Sequence, residues 1–228
     1  MTDSLAVPVV VSVIGPPGSG KSTLCSALSS RWAAEGLIVD HFEERDILTR
    51  SAFSAVADEF ADGTGAVNPQ TLIDAFGRYV DQGAIGGIDV LLTDALIPFI
   101  PSLLAWGHTE VQIEQILNHL EAVAAPVPVI VVLLTGDPEI LLSRAIQREG
   151  TGWADWYITK LSNQPGTSGV VSLPTAVDQL RSEEAVGRRL LARSRWKLIT
   201  IDALGEPEQI FELAQRRLVG LVPPSPAG

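Results

Sequence analysis

The chain has 228 residues, with 27 acidic and 16 basic side chains, a formal charge of −11 and a pI near 4.6. That balance argues against a nucleic-acid or anionic-membrane partner, because phosphate surfaces are bound through clustered Lys and Arg. The length suits one α/β domain over residues 1–228 with a tail at 222–228, the single cysteine Cys25 cannot form an intrachain disulfide, and no apolar run reaches the roughly 18 residues of a spanning helix, so a cytoplasmic setting is expected.

In chain order, the β-branched run from Val7 to Ile14 predicts a first strand, and helical periodicity from Thr23 to Trp32 predicts a helix. Between them, Gly15 to Ser22 reads G-P-P-G-S-G-K-S, a complete Walker A phosphate-binding loop in the strand-to-helix context it requires. Leu37 to Phe42 is the second predicted strand, stopping at the charged cluster Glu43, Glu44, Arg45 and Asp46. A polar region from Asp58 to Gln70 reads as loop, punctuated by Asp62 to Gly65, with Pro69 opening a helix near Thr71 to Gln82.

The third strand, Ile88 to Thr93, delivers Asp94 at its end, and helical patterning returns between His108 and Ala125. Val129 to Leu134 is a continuous apolar run of the kind buried in a parallel sheet, followed by Thr135 to Asp137 and a helix carrying Arg144 and Arg148. Trp196 to Ile201 is the fifth strand, and Glu206 to Leu218 the last helix. Five strands with intervening helices predict a doubly wound, five-stranded parallel sheet, whose ligand lies beyond the carboxyl ends of the strands.

These motifs resemble the P-loop kinases that phosphorylate small molecules, specifically the superfamily of deoxynucleoside kinases and thymidylate kinases. The resemblance spans about residues 8 to 218 and rests most firmly on the Walker A loop. Phe42-Glu43-Glu44-Arg45 has the form of the deoxynucleoside kinases' second strand end, with Glu44 at the position of their glutamate base and Arg45 where they carry proline. Asp94 keeps their carboxylate after strand three, whereas Ala95 replaces their arginine. Arg144-Ala-Ile-Gln-Arg148, followed by Trp156 to Leu161, fits their lid pattern. The resemblance implies a P-loop NTPase fold with a helical lid around 144–189, ATP and Mg²⁺ as cofactors, and, since such kinases are often dimers, a homodimer as a partner to test.

Phosphoryl transfer needs a held donor, neutralised charge and a positioned nucleophile. Gly15, Gly18 and Gly20 let the backbone curl so that amides face a polyphosphate, with Pro17, Ser19 and Thr23 completing the cradle. Lys21 is the only lysine in the first 159 residues and would reach the β- and γ-phosphates, Ser22 and Asp94 would hold Mg²⁺, and Arg144 and Arg148 would close over the phosphates. A hydroxyl acceptor is served by a carboxylate that takes its proton, so Glu44 is the expected general base and Glu43 the alternative. A phosphate acceptor would instead want arginines, for which Arg45, Arg50 and Arg78 are placed. Trp106 heads a set of aromatics, with His108, Trp153, Trp156 and Tyr157, that could stack on a flat substrate. His41 and His119 lack ligand-spaced neighbours, so no zinc site is expected.

The leading expectation is therefore an ATP- and Mg²⁺-dependent kinase acting on a hydroxyl of a small molecule: a nucleoside, a nucleoside-like natural product or an antibiotic. A nucleoside monophosphate kinase is the alternative within enzymes. A regulatory nucleotide-binding ATPase without a small-molecule acceptor is the alternative of another class, and the missing N-K-x-D motif counts against a GTPase.

Overall fold

The computed structural model describes residues 7–61, 65–94 and 97–224. The loop signals at 62–64, Ala95 and residues 225–228 of the expected tail lie outside them. The elements run β1 (Val9–Ile14), α1 (Lys21–Ala34), β2 (Val39–Phe42), α2 (Ser54–Ala61), α3 (Pro69–Ile85), β3 (Val90–Asp94), α4 (Ile100–Ala105) and α5 (Glu110–Ala124), then β4 (Val129–Thr135), α6 (Pro138–Glu149), α7 (Thr151–Ser162), α8 (Leu173–Arg193), β5 (Lys197–Asp202) and α9 (Pro207–Leu218). Two 3₁₀ turns, Glu44–Leu48 and Ser51–Phe53, link β2 to α2.

The strands form one five-stranded, all-parallel sheet in the order β2-β3-β1-β4-β5. Period-two alternation along β1 sends Val9, Val11 and Val13 to one face, where they pack with Leu24 and Leu28 of α1 and Ala214 and Leu218 of α9. Val10 and Ile14 face the other way, into a core shared with Phe76 and Tyr79 of α3, Ile113 and Leu117 of α5, and Leu190 of α8. β1 and β4 are buried along their whole length, which is why both read as unbroken Val/Ile/Leu runs. With apolar clusters on both faces, the architecture is α/β and compatible with a doubly wound sheet. At the outer edge, Phe42, Phe53 and Tyr79 meet edge to face at centroid distances of 4.9, 5.2 and 6.1 Å, each pair worth about 0.5–1.5 kcal/mol beyond its buried area.

Local signals set most helix starts. Asn68 accepts a hydrogen bond from the Gln70 amide, with Pro69 in the first turn of α3, as expected from the sequence. Asp137 caps α6 through the Glu139 amide, and Ser172 with Thr175 closes a capping box on α8. The region expected as loop from Asp58 to Gln70 is a correction: α2 continues through Ala61. Its buried Val56 and the cavity-facing Phe60, four residues on, form one helical stripe. The short α4 was also not expected; Pro101 sits in its first turn, where a missing amide costs nothing.

A third apolar cluster, with Leu142 of α6, Tyr157 and Leu161 of α7, and Ala176, Val177 and Leu180 of α8, gives the helical segment expected as a lid a small core of its own. Gly150, at φ +93, is the single residue joining α6 to α7. Among the described residues no helix is long and apolar enough to cross a membrane.

Candidate functional site

β1 lies at the centre of the sheet, with β3 on one side and β4 on the other. In such an arrangement the crevice opens beyond the carboxyl ends of the strands where the order reverses, and the glycine-rich loop from Gly15 to Gly20 occupies that position. Gly20, at φ +84, is the N-cap of α1, and no side chain caps the helix. The first-turn amides are therefore left for an anionic ligand rather than for the protein itself. Gly18, at φ +78, is required twice over, because a Cβ there would lie 1.9 Å from the Leu141 carbonyl oxygen in α6.

Lys21 folds back over the loop, donating to the carbonyls of Gly15 (3.0 Å) and Pro16 (3.1 Å). Burial pushes its pKa below the usual lysine value, and the negative charges of Asp94 and then Glu44 oppose that shift. Asp94 is the last residue of β3, paired in register with Val13, and is 4% exposed. Its Oδ1 is buried without a hydrogen-bond partner, as is Ser19 Oγ in the loop. An orphaned carboxylate oxygen is costly unless something external satisfies it.

Two cavities flank the loop. The first, about 630 Å³, is lined by Ser22, Glu43, Glu44, Arg45, Ile47, Leu48, Phe60 and Asp94. The second, about 560 Å³, runs past Gly18, Ser19, Gly20 and Thr23 to Arg144 and Arg148 of α6 and to the segment from Ala203 into α9. The start of α1 is shared between them, with Ser22 on one side and Thr23 on the other. Pro17 lies in the loop and lines neither.

β2 ends at Phe42, so the strand alternation that would have separated Glu43 from Glu44 does not apply, and both line the first cavity. Their environments differ. Glu43 stands at the N-cap of the 3₁₀ turn, its backbone carbonyl accepting from the Asp46 amide at 2.9 Å while its own amide donates to Asp46 Oδ2 at 3.1 Å, and its carboxylate pairs with Arg45 at 2.8 Å. Glu44 is exposed, lines the cavity and, among the described residues, makes no ion pair or side-chain hydrogen bond, and its charge is felt at Lys21.

Of the remaining expected contacts, Arg50 is engaged by Asp40 (2.6 Å) and the His41 carbonyl (3.1 Å), with its guanidinium over the Phe42 ring. Arg78 donates to the Ala52 carbonyl at 3.2 Å. Neither lines the first cavity. Trp106 stands behind it, edge-on to Phe60 at 6.3 Å. Arg144 clasps the carbonyls of Ala203 (2.8 Å) and Leu204 (2.9 Å), tying α6 to the segment after β5, whereas Arg148 is exposed beside the second cavity and pairs with Glu149. Trp153 stacks on Tyr157 within the helical segment.

Sequence reasoning missed the segment from Ala203 to Phe211 on one side and Ile47, Leu48 and Phe60 on the other. The first was within reach, since the strand-end rule applied to β5 leads directly to it. Of the second, Phe60 was hidden by reading the end of α2 as loop, and Ile47 and Leu48 lie in the 3₁₀ turn after β2, for which no sequence signal was read.

Among the described residues no group of three or more His, Cys, Asp and Glu side chains clusters as a metal cage. Mg²⁺ keeps several waters and takes only one or two carboxylates from protein, so Asp94 with the Ser22 hydroxyl fits that ion. The uncapped start of α1 and Lys21 fit a polyphosphate. No protein-family model matches the chain, and no curated protein matches its sequence.

Proposed function

We propose that this protein is an ATP- and Mg²⁺-dependent phosphotransferase of the P-loop kinase kind, moving a phosphoryl group to a hydroxyl of a small molecule such as a nucleoside, a nucleoside-like natural product or an antibiotic. The observation that carries the reading is the pair of cavities meeting at the glycine-rich loop, with free amides and Lys21 between them and an unpaired Glu44 facing one. The donor would lie along the second cavity, its phosphates on the first-turn amides of α1 and its base towards Ala203 to Phe211. The Lys21 ammonium would leave the carbonyls of Gly15 and Pro16 for the donor's oxygens, a rearrangement that trades two neutral acceptors for charged ones. Asp94 and the Ser22 hydroxyl would hold Mg²⁺, which would supply neutralisation of the charge on the transferring phosphoryl group.

Glu44 would accept the proton of an acceptor hydroxyl in the first cavity, a role that needs a carboxylate not already committed to another partner. Glu43 is so committed. Arg144 would fix the donor cavity's wall through Ala203 and Leu204, and Arg148, which is nearer solvent, would turn its side chain onto the phosphates. The test is acceptor dependence. ADP release from ATP and Mg²⁺ is expected to be slow alone and to rise on addition of an accepted hydroxyl compound, because a closing lid keeps water from the donor. Tight nucleotide binding with slow turnover that no acceptor changes would point instead to a regulatory ATPase.

A further inference from the structure

We propose that the acceptor carries no anionic group and has a flat apolar body, and that Phe60 and Leu48 are its seat. The proposal rests on the phosphotransfer reading above for the word acceptor, though the seat itself is a property of the first cavity. The residues lining that cavity include the carboxylates of Glu43, Glu44 and Asp94 and the apolar side chains of Ile47, Leu48 and Phe60. Leu48 is 60% and Phe60 37% exposed, so two large apolar side chains face water inside a concave site. Ligand pockets have this composition, an apolar surface for the ligand's body and a few polar groups that fix its orientation. Ile47 packs against the main core, and the Phe60 ring is braced edge-on by Trp106 with planes at 63°, which gives the platform a fixed angle.

Charge narrows the class further. Arg45 is the one cation among the residues lining the cavity, and it is already bound to Glu43. Arg50 and Arg78 are spent on Asp40, His41 and Ala52. A phosphate or carboxylate on the acceptor would therefore meet the carboxylates of Glu44 and Asp94 and, among the described residues lining the cavity, no uncommitted guanidinium, whereas a neutral or amine-bearing molecule would meet no such repulsion.

The test is equilibrium binding to the full chain, with a non-hydrolysable ATP analogue present, of matched probes: thymidine, adenosine and phenyl glucoside against thymidine monophosphate, adenosine monophosphate and glucose. The first three remove the anion and keep the apolar body; the others restore the anion or remove the body. At least one of the first three is expected to bind, and to bind about 10-fold or more tighter than its matched counterpart. Phe60→Ser and the more exposed Leu48→Ser are expected to weaken that binding by a similar factor, while Ile85→Ser, at the end of α3 remote from the strand ends, leaves it unchanged. Monophosphates binding as well as their nucleosides, none of the uncharged probes binding, or both Ser variants binding like the parent would overturn the assignment. Binding that depends on Phe60, with no phosphoryl transfer to the bound probe when ATP and Mg²⁺ replace the analogue, would leave the seat standing and remove the phosphotransfer reading.

Discussion

Two neighbouring glutamates show how little of a side chain's role lies in its type. Glu43 and Glu44 share one cavity, but the turn after β2 takes the first as its cap and Arg45 as its counter-ion, leaving the second uncommitted. Glu44→Gln keeps the shape and removes the base, so acceptor-dependent turnover is expected to fall about 100- to 10,000-fold while nucleotide affinity stays within about two-fold of the parent. Steady-state kinetics alongside nucleotide titration would read both, and near-normal turnover would sink Glu44 as base. The resemblance already favoured Glu44 over Glu43; the physical difference between their surroundings was not legible, because it depends on where β2 stops. Arg50 was misleading for a similar reason, since its partner Asp40 lies ten residues earlier on β2 and no local pattern announces the pair. Gly18 was read for its backbone freedom, whereas its close approach to Leu141 belongs to the packing of α6 and is visible only in three dimensions.

At the scale of elements, periodicity and apolar runs identified all five strands and α1, α3, α5, α6 and α9, whereas α7 and α8 were expected only as part of the helical lid that the resemblance implied, and α2 and α4 were not expected. With α2 went Phe60 of the first cavity, while Ile47 and Leu48 lie in the 3₁₀ turn before it. The helical segment α6 to α8 holds a titrating group of its own. Glu183 of α8 sits beside Tyr157 of α7, and burial pushes its pKa up from 4.5 to about 7, against the hydrogen bond it accepts from Gln179 at 3.0 Å. The sign follows from proton counts. Between pH 4.5 and about 7 the unfolded chain has lost this proton while the folded chain keeps it, so stability falls as pH rises through that window and levels off above it. The loss is about 1–3 kcal/mol. Glu183→Gln is expected to remove that part of the pH dependence and to unfold at a higher temperature than the parent at pH of about 8. Parallel pH dependence in the two proteins, followed by thermal or urea unfolding, would show that Glu183 does not carry the effect.

Across the whole molecule, the sheet order places the ends of β1, β2, β3 and β5 around one loop, so residues distant in sequence share two adjoining cavities. The parallel sheet was legible because strands buried on both faces leave unbroken apolar runs. The strand order and the part played by the segment after β5 were not, because neither follows from local periodicity. The division into donor and acceptor sides is read out by the fate of a labelled γ-phosphoryl group. With ATP, Mg²⁺ and an accepted hydroxyl compound, the label is expected on the organic product, one per ADP formed, and to be lost from that product in Glu44→Gln. Label appearing only as inorganic phosphate, at a rate no acceptor changes, would contradict the account and leave a nucleotide hydrolase in its place.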